Sequence, residues 1–479
     1  MSQFLHQWGQ QILAWRPLEN SKSLQIIVAS LAFITGLLVW FSHGQTFELP
    51  ALQQLYRALP QSWSPNVKTW LGFLFANSLS TLSLWLFTRV ALQIGLGITT
   101  TFFLFLLLNF NPEFKSVRLD ISMMQIVIVL WTLSIYWFLR YYQHHLYRAF
   151  LLWAACLWIA ALIEPWTWLW VLGLPLCFLF WPGTGRWWQR GIERGKFLIV
   201  YYLLAALLIM LVPLIHQQVF LQFQEMTQRI ERAMSDISLF ISGDRGFDLA
   251  GYDAFVIALV LVVINALKNA GFLILLVVWF AMRHRYSAVL PGRVWLFFAY
   301  NLGFAALVGA LSLLYLGHLH NDLLYTPITM LILWMSASAV FHLYQRWRAQ
   351  RIAPQHRLLT VWLLVAYAIA SIIQFGPSQD YLRDAGLWAA DNAPGKIWSN
   401  HYASLFYVGE SPIAGQSAQY VRINQDRLPA DFAHGDVLLY QVGRKQQPAA
   451  IIDRLSTQTV FRNQRGDTVY VLTLSDRAP

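Results

Sequence analysis

The chain has 479 residues, of which 57% are hydrophobic, 16% aromatic and 12% charged, with a mean hydropathy of +0.47 and a net charge of +11. Soluble globular domains carry about twice that share of charge, so lipid is the expected solvent. The basic surplus is not a nucleic-acid signature, because residues 377–479 hold ten basic and ten acidic residues and the whole excess falls in the apolar region, where it reports topology.

Residues 1–23 are polar, with Trp8 and Trp15 suited to an interface, and form a cytoplasmic N-terminal segment without a cleavable leader. A bilayer core of about 30 Å needs roughly 20 apolar residues per helix. Runs of that kind recur through residues 24–376 and predict about eleven transmembrane helices: 24–42, 69–88, 90–109, 121–139, 149–163, 166–181, 197–215, 260–282, 294–316, 323–343 and 357–376. Glu164 and Pro165 separate two short runs that could otherwise be one. The fold class is therefore an α-helical polytopic membrane protein followed by a small α/β domain at residues 377–479.

Lys and Arg are retained on the cytoplasmic side of membranes. With the N-terminus inside, the cytoplasmic turns collect Arg89, Arg140, Arg148, Arg186, Arg190, Arg194, Lys196, Arg283, Arg285, Arg293, Arg346, Arg348, Arg351 and Arg357, while the longer external loops hold few basic residues. An odd number of spans then places the C-terminal domain outside, which for a bacterial inner membrane is the periplasm. Cys156 and Cys177 both fall in spans, so neither a disulfide framework nor a thiol metal site is expected.

Three external loops, 43–67, 110–120 and 216–252, are candidates for chemistry. In loop 43–67, Leu49, Leu52, Leu55, Tyr56 and Leu59 recur at helical spacing and predict a helix lying on the bilayer. Loop 216–252 repeats the pattern from Val219 to Phe240. The apolar run 251–282 contains Asn265, Lys268 and Asn269; a lysine at membrane depth faces a cavity or a partner, unless the helix starts late and the side chain snorkels. In the last domain the segment SQDYLRDAGLWAADNAPG predicts a helix, and KIWSN, SLFYVG, DVLLYQV and DTVYVLTL predict strands.

The layout resembles the GT-C integral membrane glycosyltransferases, the family of bacterial aminoarabinose transferases and protein mannosyltransferases. The residues that carry the likeness are the external first loop, the tight hairpin SLSTLSLWLFTRVALQIGLGITTTFFLFLLLNFNPEF, the loop SVRLDISMM, the basic turn FLRYYQHHLYR and the run AALIEPWTWLWVLGLPL. LGHLHNDLLYTPITMLIL is similar to the family's late external turn, although the arginine usual there is absent, and YLRDAGLWAADNAPGKIWSNHYASLFYVGE is similar to the start of its soluble domain.

The resemblance implies transfer of a sugar from a polyprenyl-phosphate donor to an envelope acceptor on the external face. It places the carboxylate that deprotonates the acceptor, or organises a divalent cation, in the first external loop, where Glu48 is the one acid. Arg57, Lys115 and Arg118 are then candidates for the lipid phosphate, Asp120 for a second acid, and Lys268, His318, His320 and Asp322 for further substrate contacts. His318, His320 and Asp322 are also close enough in sequence to hold a metal ion. The expected partners are membrane lipid, a polyprenyl-phosphate-linked sugar and other envelope-glycan assembly proteins. Two other readings stay open: a catalytically inactive scaffold of a polysaccharide assembly complex, favoured by the single acid in the first loop, and a transporter of a lipid-linked substrate. Against the transporter, the sequence displays no inverted repeat and no helices interrupted by Gly or Pro at matching places in two halves.

Overall fold

A computed structural model of the chain describes residues 21–43, 63, 65–111, 114, 118, 123–144, 146–163, 167–177, 187–211, 221, 224, 227–228, 252–284, 292–316, 325–373, 380–400, 404, 408, 419–420, 432–443, 452, 455–463 and 466–474. These residues are mostly helical, with a small sheet near the C-terminus. The chain divides into two compact units: the described parts of Met1–Ala32, Ser80–Phe114 and Ile126–Ala368 form one, and those of Phe33–Leu79, Lys115–Gln125 and Ile369–Pro479 form the other.

In chain order the apolar runs become α1 (Ser21–His43), α2 (Pro65–Gln93), α3 (Ile98–Asn109), α4 (Met123–His144), α5 (Tyr147–Ile163), the short α6 (Trp168–Gly173) and α7 (Trp187–Leu211). They continue as α8 (Tyr252–His284), α9 (Gly292–Leu316), α10 (Thr326–Met335), α11 (Ala337–Arg348) and α12 (Pro354–Ile372). Among the described residues, five helices are long and apolar enough to cross a membrane, or six if α10 and α11, bent by 53° at Ser336, make one span. α3 and α5 are apolar but shorter. The expected span 90–109 is cut down to α3 because Gly95, at φ +89°, turns the chain between α2 and α3.

The first unit is organised around aromatic side chains. Trp334 of α10 is fully buried, stacks on Phe87 at 5.0 Å and Phe298 at 5.3 Å, and donates its indole N–H to the Phe87 carbonyl at 3.3 Å. Phe138 lies nearly parallel to Phe297 at 4.4 Å. Large flat side chains of this kind bury much area at little conformational cost and lock helix register through ring geometry. Small residues bring backbones together elsewhere: a Cβ on Gly173 would fall 1.9 Å from the Phe304 ring, and the Tyr300 hydroxyl donates to the Gly173 carbonyl at 2.7 Å.

In the second unit, Trp40 stacks on Phe73 at 4.4 Å, with Trp70 edge-on beside them. Asn77, fully buried, donates to the Phe33 carbonyl at 3.1 Å and lies directly against Gly36, where an added Cβ would come within 1.8 Å of the amide oxygen. Gly36→Ala is therefore expected to displace Asn77 and cost about 1–2 kcal/mol, read as a lower unfolding temperature of the detergent-purified protein.

The C-terminal part of that unit is helix α13 (Asp380–Asn392) on a five-stranded mixed sheet made of β1 (Ile397–Ser399), β2 (Gln419–Tyr420), β3 (Val437–Val442), β4 (Leu455–Arg462) and β5 (Thr468–Leu474). The order is β2-β1-β3-β5-β4, with β1 parallel to both neighbours and the β3–β5 and β5–β4 pairs antiparallel. Tyr381, Leu382, Ala385 and Ala389 of α13 pack on Ile397, Val437, Leu439, Val469 and Val471, so one helix stripe and one sheet face make the core. Trp398, Leu438, Leu455 and Leu472 form a second cluster. Three of the expected strands form. In SLFYVG, Ser404 has helical backbone and Val408 lies in a turn, so no strand passes through those two residues.

Candidate functional site

Of the residues singled out from the sequence, Glu48, Arg57, Lys115, Asp120, His318, His320 and Asp322 lie outside the described residues. Arg118 and Lys268 lie within them, Arg118 in the second unit and Lys268 in the first.

Arg118 has helical backbone between the apolar runs of α3 and α4 and is 1% exposed, one of the largest fully buried side chains among the described residues. Burial lowers its guanidinium to about 9, which still leaves it charged at neutral pH. Taking a cation out of water is costly, and chains keep one buried where its charge is used. A guanidinium offers five N–H donors in a planar fork, more than one partner consumes, and the fork matches two oxygens of a phosphate. The sequence marks this residue as a charge between two apolar runs; its burial is a finding of the structure.

Lys268 is exposed on the outer side of α8. The helix starts at Tyr252, and its membrane-length window runs from Phe255 to Trp279, so Lys268 sits roughly midway along it rather than near an end. The helix itself does not start late.

No protein-family model matches the chain, and no curated protein matches it either.

Asn269, marked in the sequence beside Lys268, belongs to a polar feature whose other parts, Gly271 and Asn111, the sequence did not mark. Gly271 has φ +74° and ψ 160°, outside the helical region, and interrupts α8. The interruption frees carbonyls at the end of the first half, and Asn111, 2% exposed, donates its side-chain N–H to the Asn269 carbonyl at 2.7 Å. The same amide nitrogen is 3.4 Å from the Ala270 carbonyl. Asn269 is itself 5% exposed, and among the described residues its side-chain nitrogen has no hydrogen-bond partner. The sequence displays no Gly-broken helices at matching places, and a lone glycine in an apolar run looks like an ordinary helix-interior residue. The run KNAG carried a signal only when joined to the Asn at the end of LLLNFN.

Among the described residues no group of three His, Cys, Asp or Glu side chains is placed to hold a metal ion. The free cysteines Cys156 and Cys177 are both buried.

Proposed function

We propose that the chain is a multi-pass membrane protein of GT-C type, with about eleven spans, that moves a sugar from a polyprenyl-phosphate donor to an envelope acceptor on the external face of a bacterial inner membrane. The apolar helices support insertion, and Arg89 over the Trp85 ring at 4.9 Å and Arg140 over the Trp137 ring at 5.5 Å fit the basic, aromatic belts expected at membrane interfaces. Arg118 carries the phosphate half of the reading. A charged fork held away from water binds two phosphate oxygens far better than an exposed one, and it stabilises negative charge as the lipid phosphate departs. Glu48, in the first external loop of the sequence, takes the proton from the attacking hydroxyl.

The test is the level of lipid-linked sugar in cells carrying the wild type, a deletion, Glu48→Gln or Arg118→Lys, with membrane levels of each variant checked. Deletion and Glu48→Gln should accumulate the same intermediate, with turnover down by about a hundredfold or more for the glutamine variant. Arg118→Lys should accumulate it too, because a point charge does not replace the bidentate fork.

A catalytically inactive scaffold is the second reading, favoured by the single acid in loop 43–67. It predicts that Glu48→Gln fully complements a deletion that has a glycan phenotype. The break at Gly271 is the observation that favours a lipid-linked substrate transporter. The bend at Ser336 is also in the second half of the helical region, so among the described residues the two do not form the matched pair that transporters show.

A further inference from the structure

We infer that the outer face of α8 is a docking surface for a membrane helix of a different protein, one carrying an aspartate or glutamate near the middle of its span. The inference rests on the membrane reading above. Its starting point is the division of α8 into two faces. Ala258, Val262, Ala266, Asn269, Ala270 and Ile274 are buried, whereas Val256, Val260 and Ile264, four residues apart before the break at Gly271, and Phe272 and Leu276 after it, are large and exposed. Lys268 is exposed as well, one turn after Ile264 and three residues before the break.

Three physical arguments choose the occupant. The first is depth. Lys268 is about 16 Å or more from either end of the window Phe255–Trp279 at 1.5 Å per residue, further than a snorkelling lysine stem reaches. A lipid phosphate at the interface is therefore a poor partner, and bare hydrocarbon a worse one, since a lysine at mid-span costs about 3 kcal/mol on insertion scales. The second is charge. Lys268 makes no hydrogen bond or ion pair among the described residues, and the candidate spans and shorter apolar helices of this chain contain neither Asp nor Glu, so these helices hold no carboxylate to meet it. The third argument excludes a second copy of the chain: packing this face on itself about a two-fold axis brings like charges together in a low-dielectric setting. What remains is a helix from another chain whose carboxylate lies at matching depth, flanked by apolar residues that fit Val260, Ile264 and Phe272.

The experiment uses the full-length protein in phosphatidylcholine vesicles at pH 7, with energy transfer to labelled synthetic transmembrane peptides. One peptide is all leucine with polar ends, one has a single central glutamate, and one has a single central lysine. The glutamate peptide should associate about tenfold more tightly than the leucine peptide. Lys268→Met should abolish that preference, and Lys268→Glu should transfer it to the lysine peptide. An unaltered elution profile shows that each variant is folded. Equal association of the leucine and glutamate peptides, or a preference that survives Lys268→Met, overturns the inference. So does association that follows added phosphatidylglycerol whichever peptide is present, because the occupant is then a lipid phosphate. Extraction of the protein from vesicles by alkaline carbonate overturns the membrane reading itself and takes this inference with it, while retention without a glutamate preference removes the docking surface alone.

Discussion

Replacing Asp436 by alanine lowers the stability of the C-terminal sheet by about 4 kcal/mol. The carboxylate is 4% exposed and satisfies three donors at once: the Lys396 backbone N–H at 2.9 Å, the Trp398 indole N–H at 3.0 Å and the Ala433 backbone N–H at 3.1 Å. It thereby ties the turn before β3 to the start of β1, two strands that are neighbours in the sheet but far apart in sequence. The turn is built for this. Ala433 accepts from the Asp436 N–H at 3.1 Å, Gly435 takes φ +93° at the position where a type II turn needs it, and the Gly395 N–H donates to the Gly435 carbonyl at 2.9 Å. Alanine removes the acceptor and leaves the donors facing a dry pocket, where each orphan costs roughly 1–3 kcal/mol less whatever water recovers. Hydrogen exchange of the full-length protein reads this directly: amide protection in Val437–Val442 should fall by about a thousandfold. Asp436→Asn keeps one acceptor oxygen and should lose about half as much in free energy. Unchanged protection in the alanine variant would mean that the carboxylate does not hold the two strands together.

What the sequence conveyed about this sheet and what it hid follow from how each feature is encoded. β3 and β5 are local signals, short runs of Val, Leu, Tyr and Thr bounded by turn residues, and both are legible. β4 carries Ser456, Thr457 and Gln458 in its first half and is not among the expected strands; its pairing with β5 supplies the strand that its own residues do not advertise. Helix α13 is legible because its apolar residues share one side. In the helical region, long apolar runs announce α1, α8, α9 and α12, but the bend between α10 and α11 leaves no mark in hydropathy. Arg118 and Lys268 were visible as charges, while the burial of one and the outward placement of the other depend on packing. The Asn111 contact with Asn269 spans 158 residues of sequence, and nothing local to either residue points to the other.

That contact leads to the second large effect, at Gly271, where valine is expected to destabilise the protein by about 3–4 kcal/mol. Two costs add. The backbone at φ +74° and ψ 160° belongs to a region that essentially only glycine occupies, so any side chain forces the break to rearrange. A Cβ there would also lie 3.2 Å from both the Asn111 side-chain oxygen and the Tyr367 hydroxyl, and a branched side chain cannot be fitted without moving one of them. Displacing Asn111 in turn releases its bond to the Asn269 carbonyl, exposing the open end of the first half of α8 in an apolar setting. Gly303 supplies the comparison, because it lies inside α9, has open space where a Cβ would go and has no positive φ, so Gly303→Ala should be neutral or stabilising by up to about 1 kcal/mol. Thermal unfolding of the two variants in the same detergent separates a site-specific break from a general sensitivity of apolar helices to lost glycines. If Gly271→Val unfolds at the wild-type temperature, α8 tolerates a continuous helix at that point, and the polar groups gathered around residues 269–271 have no structural need of the interruption.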